Sequence, residues 1–164
     1  MDVLVEERFI QQELQRFKKR IQWQDERFPH DVRKALLFIN EHLFKDWLDV
    51  NAVKQYCKLR NNNISCRFHF YVGSGMRRYI EDNRLLAAMH LLQYPELRIY
   101  MIALSVGYTY PESFTRAFRR RLGGSPNVFR QCILKPRLQD FPVLITPLAE
   151  AMQTIGEQVS GRSS

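Results

Sequence analysis

Cysteine is scarce in this sequence: 164 residues contain three, Cys57, Cys66 and Cys132. An odd, sparse set excludes a disulfide framework and fits a reducing compartment. Cys66 and His69 form a C-x-x-H pair with Cys57 upstream, but a zinc site needs a fourth ligand at workable spacing and the neighbouring sequence supplies none. No metal or cofactor is expected. Long apolar runs are also missing, none approaching the ~18 residues a bilayer span needs, so no membrane partner is expected. The N-terminus, MDVLVEERFIQQELQ, is acidic early and lacks a signal-peptide pattern, which points to a cytoplasmic protein. There is no nucleophile–base pairing, phosphate loop or carboxylate dyad at mechanistic spacing, so the chain does not read as an enzyme. Nor does any stretch read convincingly as a strand.

What is present is a globular composition with an uneven charge. Hydrophobic residues make up 45%, enough for a packed core. The formal net charge is +8. Residues 1–27 carry six basic and six acidic side chains, and residues 135–164 three of each. The excess therefore lies wholly within 28–134, where 16 basic residues face 8 acidic ones. A positive excess confined to one segment is the footprint expected of a polyanion-binding domain, though a solvated basic surface has the same composition.

Apolar periodicity divides the chain into helices. The stretch from Val3 to about Gln24 has Val3, Ile10, Leu14, Phe17 and Ile21 in a loose heptad interrupted by Glu7. It reads as an N-terminal helical extension with one sticky face, which buries either against the domain or in a homodimer. Pro29 begins a second helix that Asp31 can cap, with Val32, Leu36, Ile39 and Leu43 on one face. Asp49 caps a short helix ending near Lys58, and after a tight turn another runs from about Asn61 to Val72. A long helix follows from Met76 to Gln93, burying Leu85, Leu86, Met89 and Leu92. Ile99, Ile102, Ala103 and Val106 mark a short helix before Gly107, Pro111 opens the next to Leu122, and Ser125-Pro126 starts a closing helix. A tail follows from 135, with a helix at 148–159. The layout of short helix, tight turn and helix occurs twice, which is a repeated helix-turn-helix unit.

The helix at 111–122 carries the clearest chemistry. At about 100° per residue, Phe114, Ala117, Phe118 and Leu122 share one side, while Glu112, Ser113, Arg116, Arg119 and Arg120 share the other. Arg121 falls on the core side, at the helix end where a long side chain can reach water. An α-helix fits the DNA major groove, where arginine pairs bidentately with guanine; arginines further along would neutralise phosphates. In the helix at 61–71, Ile64, Phe68 and Tyr71 fall together, opposite Asn62, Ser65, Cys66 and His69. That face has no permanent cation at its centre, and Arg67 lies at its margin, so it reads as the weaker reader or as a packing element.

Four ordered motifs then stand out: R-L-x-x-A-x-x-L-L at 84–92, I-A-x-x-V-G-Y at 102–108, S-F-x-R-x-F-R-R at 113–120 and G-x-S-P-x-x-F-R at 123–130. Together they resemble the signature region of AraC/XylS-type transcription regulators, with a weaker match back to about residue 30. The resemblance implies an all-α fold: a seven-helix double helix-turn-helix domain over 28–134, its units joined by a long linker helix; the periodicity adds helical extensions at 1–27 and 135–164. It implies two recognition helices entering successive major grooves of double-stranded DNA. The matching base-contacting positions are Tyr110, Pro111, Glu112, Ser113 and Arg116 in the second unit, and Asn61, Asn62, Ser65 and Cys66 in the first. Arg119, Arg120, Arg121, Arg130 and His69 are the expected phosphate contacts. Gly107 falls at a turn that needs positive φ.

The chain departs from the family pattern in places. Cys66 stands where many members carry arginine, Lys58 where the first turn often has glycine, and Pro111 where a polar contact is common. The 27 residues before Phe28 are too few for the sensor domain that many members carry. The resemblance extends to activators that contact RNA polymerase. The competing reading is a protein-interaction module whose terminal extensions bind a partner and whose DNA specificity is weak.

Overall fold

The computed structural model describes residues 2–21, 28–58 and 63–134. The expected helix at 148–159, and the rest of the tail, lie outside the described residues. Those described form eight helices and no strand: α1 Val3–Arg20, α2 His30–His42, α3 Val50–Tyr56, α4 Asn63–Val72, α5 Met76–Leu91, α6 Ile99–Ser105, α7 Pro111–Leu122 and α8 Pro126–Leu134. The all-α class and the seven-helix core α2–α8 are those expected. Three helices end short of the expected boundary: α1 at Arg20 rather than Gln24, α3 at Tyr56 rather than Lys58, and α5 at Leu91 rather than Gln93.

The apolar stripes meet in two cores. The first gathers Val32, Leu36 and Ile39 of α2, Val53 of α3, Ile64 and Phe68 of α4, and Met76, Tyr79 and Ile80 from the first turns of α5. The second gathers Leu85, Ala88 and Leu91 from the rest of α5, Ile102 and Ala103 of α6, and Phe114, Phe118 and Leu122 of α7. Each unit is thus a bundle closed by one end of the same long helix, and α5 is what fixes them side by side. Phe17 and Phe44 pack against both cores, their rings 6.1 Å apart.

α1 lies across α5 and α6. Its Ile10 and Leu14 belong to the second core, and Ile21, just past its end, to the first. The sticky face is therefore covered within the chain. Val3 is an exception and is half exposed, because the helix has run past the edge of the core there. The charge that matters is not Glu7, which is exposed, but Glu6 and Glu13, both buried on the inward face. Glu6 accepts hydrogen bonds from the backbone N–H of Arg98 at 2.7 Å and from its Nε at 2.8 Å. Arg98 is the N-cap residue of α6 and has no side-chain cap of its own, so Glu6 supplies from α1 the acceptor that the start of α6 lacks. Glu13 meets His90 Nε2 at 2.8 Å and Arg16 Nη1 at 2.5 Å. Burial pushes the Glu6 carboxyl up, but its bonds from Arg98 outweigh that and hold it below the usual carboxylate value. Glu13 is likewise held low, chiefly by the bond with His90, against the opposing effect of burial.

Asp31 does not cap α2. Pro29 occupies the cap position, and Asp31, in the first turn, pairs with Arg67 at 2.9 Å. Asp49 does cap α3, accepting from Ala52 N at 2.7 Å. The end of α1 is tied down by a buried chain in which Tyr79 donates to Asn40 at 2.9 Å and Asn40 to the Ile21 carbonyl at 3.3 Å.

Candidate nucleic-acid interface

In the second unit, α6 stops at Ser105 and the chain turns through Gly107 at φ 94 into α7. Two constraints require glycine there. A positive φ is costly for any other residue, and a Cβ would stand 2.9 Å from Arg84 Cζ. That guanidinium cannot easily move aside. It is buried, with Nε donating to the Leu43 carbonyl at 2.8 Å and Nη2 to that of Lys45 at 2.6 Å. Arg84 thus reaches from α5 to the α2–α3 connection while lying against the turn of the other unit, its Cζ 5.9 Å from the Tyr108 ring centre. Burial pushes the Tyr108 phenol up to about 12, with Glu81 adding to the shift.

α7 is anchored by a run of edge-on aromatic contacts, Tyr108–Phe114–Phe118–Phe129, with ring centres 5.4–5.5 Å apart. Its inward residues Phe114, Ala117, Phe118 and Leu122 are all buried. Fixing that side leaves Tyr110, Glu112, Arg116 and Arg119 exposed, with Ser113 half-buried beside them. Arg116 Nη2 lies 3.3 Å from Ser113 Oγ, and among the described residues Arg119 has no ion-pair partner. This face offers donors, an acceptor and a phenol on a rigid rod.

The remaining arginines are placed differently from expectation. Arg121 does not reach into water: its Nε bonds Asp82 of α5 at 2.9 Å and its Nη2 bonds the same oxygen. Arg120, on the polar face, is paired with Glu81 of α5 while staying largely exposed. Arg130 has Nε and Nη2 buried without a hydrogen-bond partner among the described residues, and burial pushes its guanidinium down. Arg121 and Arg130 do not present themselves as free cations for phosphate. Helical periodicity shows which side of α7 each arginine occupies but not what faces it across α5. The run Arg77-Arg78-Tyr79-Ile80-Glu81-Asp82 carried the available signal: Arg78 and Asp82 sit four apart on one helix face and pair at 3.5 Å.

The first unit repeats the plan. α3 ends at Tyr56 with Cys57 as its C-cap residue, and Lys58 takes the turn at φ 53, the one described non-glycine residue at positive φ. Asn61 and Asn62 lie outside the described residues. α4 buries Ile64 and Phe68 and exposes Cys66, Arg67 and His69, with Ser65 half-buried. Tyr71, expected on the core side, is partly exposed and packs on Phe28. Cys66 is a free exposed thiol. No group of three or more metal-ligating residues is found among the described residues, and no described helix is long and apolar enough to cross a membrane.

Two short-turn helix pairs on a shared helix, each presenting its second helix outward, define a double helix-turn-helix protein. Residues 55–131 match the family model described as a helix-turn-helix domain. The chain is 30% identical over 99 residues to the arabinose operon regulatory protein of Escherichia coli, covering 60% of this chain and 34% of that protein. It is 30% identical over 101 residues to the HTH-type transcriptional regulator AlkR of Acinetobacter baylyi, covering 62% and 33%. Among solved structures it is similar to the C-terminal domain of AraT, a response regulator from Geobacillus stearothermophilus, with a TM-score of 0.62, 27% identity, and coverage of 70% of this chain and 95% of that one. It shares its fold with the DNA-binding domain of AdpA, solved with a target DNA, at a TM-score of 0.59 and 24% identity, covering 68% and 99%. Residues 55–131 therefore carry a helix-turn-helix domain, and the chain is similar to AraC/XylS-type regulators over about 60% of its length. The matched region spans about a third of the length of these curated relatives.

Proposed function

We propose that this protein is a sequence-specific, double-stranded DNA-binding transcription regulator whose α4 and α7 enter successive major grooves on one face of the duplex. The observation that carries the reading is the outward face of α7, where Arg116 is exposed beside Glu112 and Ser113 on a helix locked by its aromatic side. A helix so held can offer arginine bidentately to guanine O6 and N7. Its similarity to AraC-type regulators, and its shared fold with a domain solved on target DNA, support the same reading. Arg116, Glu112, Ser113 and Tyr110 are assigned to base contacts in the second unit, and Asn61, Asn62, Ser65 and Cys66 to the first. Arg119 and His69 are the exposed phosphate contacts, and Arg120 becomes one only by leaving Glu81. Residues 28–134 are the DNA-binding unit, with α1 as a brace.

The test is selection of bound duplexes from a random pool, followed by competition of the selected site against random duplex. A preferred site bound at least tenfold tighter than random DNA is the expected result. Equal affinity for all duplexes, or none for any, would leave the interaction-module reading standing instead.

A further inference from the structure

Four guanidinium groups converge where α5 begins. Arg77, Arg78, Arg120 and Arg121 line one cleft of about 390 Å³ together with Gly75 and Glu81. The cleft follows directly on α4, which ends at Val72, and its opposite wall is the last turns of α7. It therefore lies between the first turns of α5 and the end of α7, with the segment that leaves α4 at its edge. Asp82 neutralises part of it by pairing with Arg78 and Arg121, and Glu81 pairs with Arg120. Arg77 is exposed and has no ion-pair partner among the described residues. Four cations against two carboxylates leave the cleft with an excess of two positive charges.

Resting on the DNA-binding reading above, we infer that this cleft is the seat of a backbone phosphodiester from the stretch of duplex between the two grooves, and that Glu81 occupies part of that seat when DNA is absent. Arg77 is the standing phosphate ligand. Arg120 becomes a second by exchanging the Glu81 carboxylate for a phosphate oxygen. The Arg120–Glu81 pair suits exchange: the arginine side chain is 62% exposed and Glu81 24%, so water and a new anion can reach both. The Arg121–Asp82 pair, at 21% and 26%, is the more enclosed and holds α7 against α5. Glu81 therefore sets how strongly the second unit grips the backbone, irrespective of sequence, because a phosphate must displace a carboxylate already in place.

Salt dependence reads this directly, since each phosphate neutralised contributes about 0.9 to the slope of log K against log salt. Full-length wild type, Arg77→Ala, Glu81→Gln, Arg120→Ala and the Glu81→Gln/Arg120→Ala double variant are titrated with random and selected duplexes from about 50 to 200 mM salt. Arg77→Ala should make the slope shallower by about 0.9, so that the affinity lost across that range shrinks about 3.5-fold. Glu81→Gln should tighten binding to both duplexes and steepen the slope, and the steepening should vanish in the double variant. Arg77 is exposed and in no described ion pair, so its replacement reports on the seat even if Glu81→Gln disturbs α7. Wild-type binding with an unchanged slope in Arg77→Ala and no tightening in Glu81→Gln overturns the phosphate seat and leaves DNA binding intact. Wild type that binds no duplex overturns both. Calorimetry with inorganic phosphate alone is the remaining arm: saturable binding lost in Arg77→Ala would show a free-anion site and overturn the phosphodiester assignment.

Discussion

The first unit turns on Lys58 at φ 53, and the second on Gly107 at φ 94 with Arg84 against it. The first presents Ser65, Cys66 and His69 on α4; the second presents Tyr110 at the N-cap of α7 and Glu112, Arg116 and Arg119 along it. Supports differ in the same direction. α7 has a run of aromatic contacts beneath it and carboxylates of α5 holding its last turn, and the helix before it takes a buried acceptor from α1. α4 has one described ion pair, between Arg67 and Asp31. A reader that must hold an arginine to within a hydrogen bond needs such fixing, whereas a helix with small polar groups tolerates more play. The two units share a plan, and the second carries more of the structural investment.

The sharpest way to break this comparison is at the turns. Gly107→Val should destabilise the protein by about 2–4 kcal/mol, combining backbone strain with loss of an Arg84 hydrogen bond. Thermal unfolding measures it, and a melting temperature equal to wild type would mean that the second turn is no more constrained than the first. Next comes the support from α1. Glu6→Gln should cost about 1–2 kcal/mol, as loss of a helix cap does, and should weaken the second unit more than the first in hydrogen exchange. Equal loss of protection in both units would show α1 to be a general brace.

The same carboxylates predict an acid limit. Glu6 and Glu13 have folded-state values held below 4.5. Their contribution is complete above that value and is lost as pH falls through the lower folded values. Melting temperature should drop on acidification below pH 4.5, and Glu6→Gln/Glu13→Gln should flatten that drop; an identical pH profile in the double variant would remove these groups from the account.

On DNA, Arg116→Ala should lose about 1–3 kcal/mol of discrimination at one base pair, while Ser65→Ala and Cys66→Ala change little. Competition between selected and random duplexes decides it, and a greater loss from Cys66→Ala would reverse the ranking of the two units. The smallest effect is expected at Lys58→Gly. Relief of about 1–2 kcal/mol of left-handed strain, less about 0.5–1 kcal/mol for glycine's entropy, should leave the protein slightly stabilised. Clear destabilisation in thermal unfolding would show that the Lys58 side chain does something in the turn.

Local features were legible from sequence. Pro111 and Gly123 bracket α7, Asp49 caps α3, and Gly107 adopts the positive φ that its place between two apolar stripes requires. Which side of α7 is core was equally plain, because period and side-chain type agree over three turns. What was not legible depends on neighbours distant in sequence. Arg120 and Arg121 meet Glu81 and Asp82 across 39 residues, and Glu6 meets Arg98 across 92. A heptad reading of α1 marks Glu7 as an interruption and gives no sign that Glu6 beside it lies where an uncapped helix start needs an acceptor. Asp31 shows the converse: a residue with good capping chemistry lies inside the helix it was expected to cap, past Pro29, and pairs with an arginine on another helix.

Arg84 has a consequence for the sites such a protein could occupy. By joining the α2–α3 connection, α5 and the second turn, it ties the two units together at one point, like the rivet of a set gauge. B-DNA rotates by about 35° and advances about 3.4 Å per base pair. Under the proposed role, one base pair inserted between the two contacted segments would turn the second out of phase with α7. A tandem protein with a pliant linker absorbs such a change by swivelling; here the two cores share one continuous helix, α5, and the binding sites should be constant in spacing even where their bases vary.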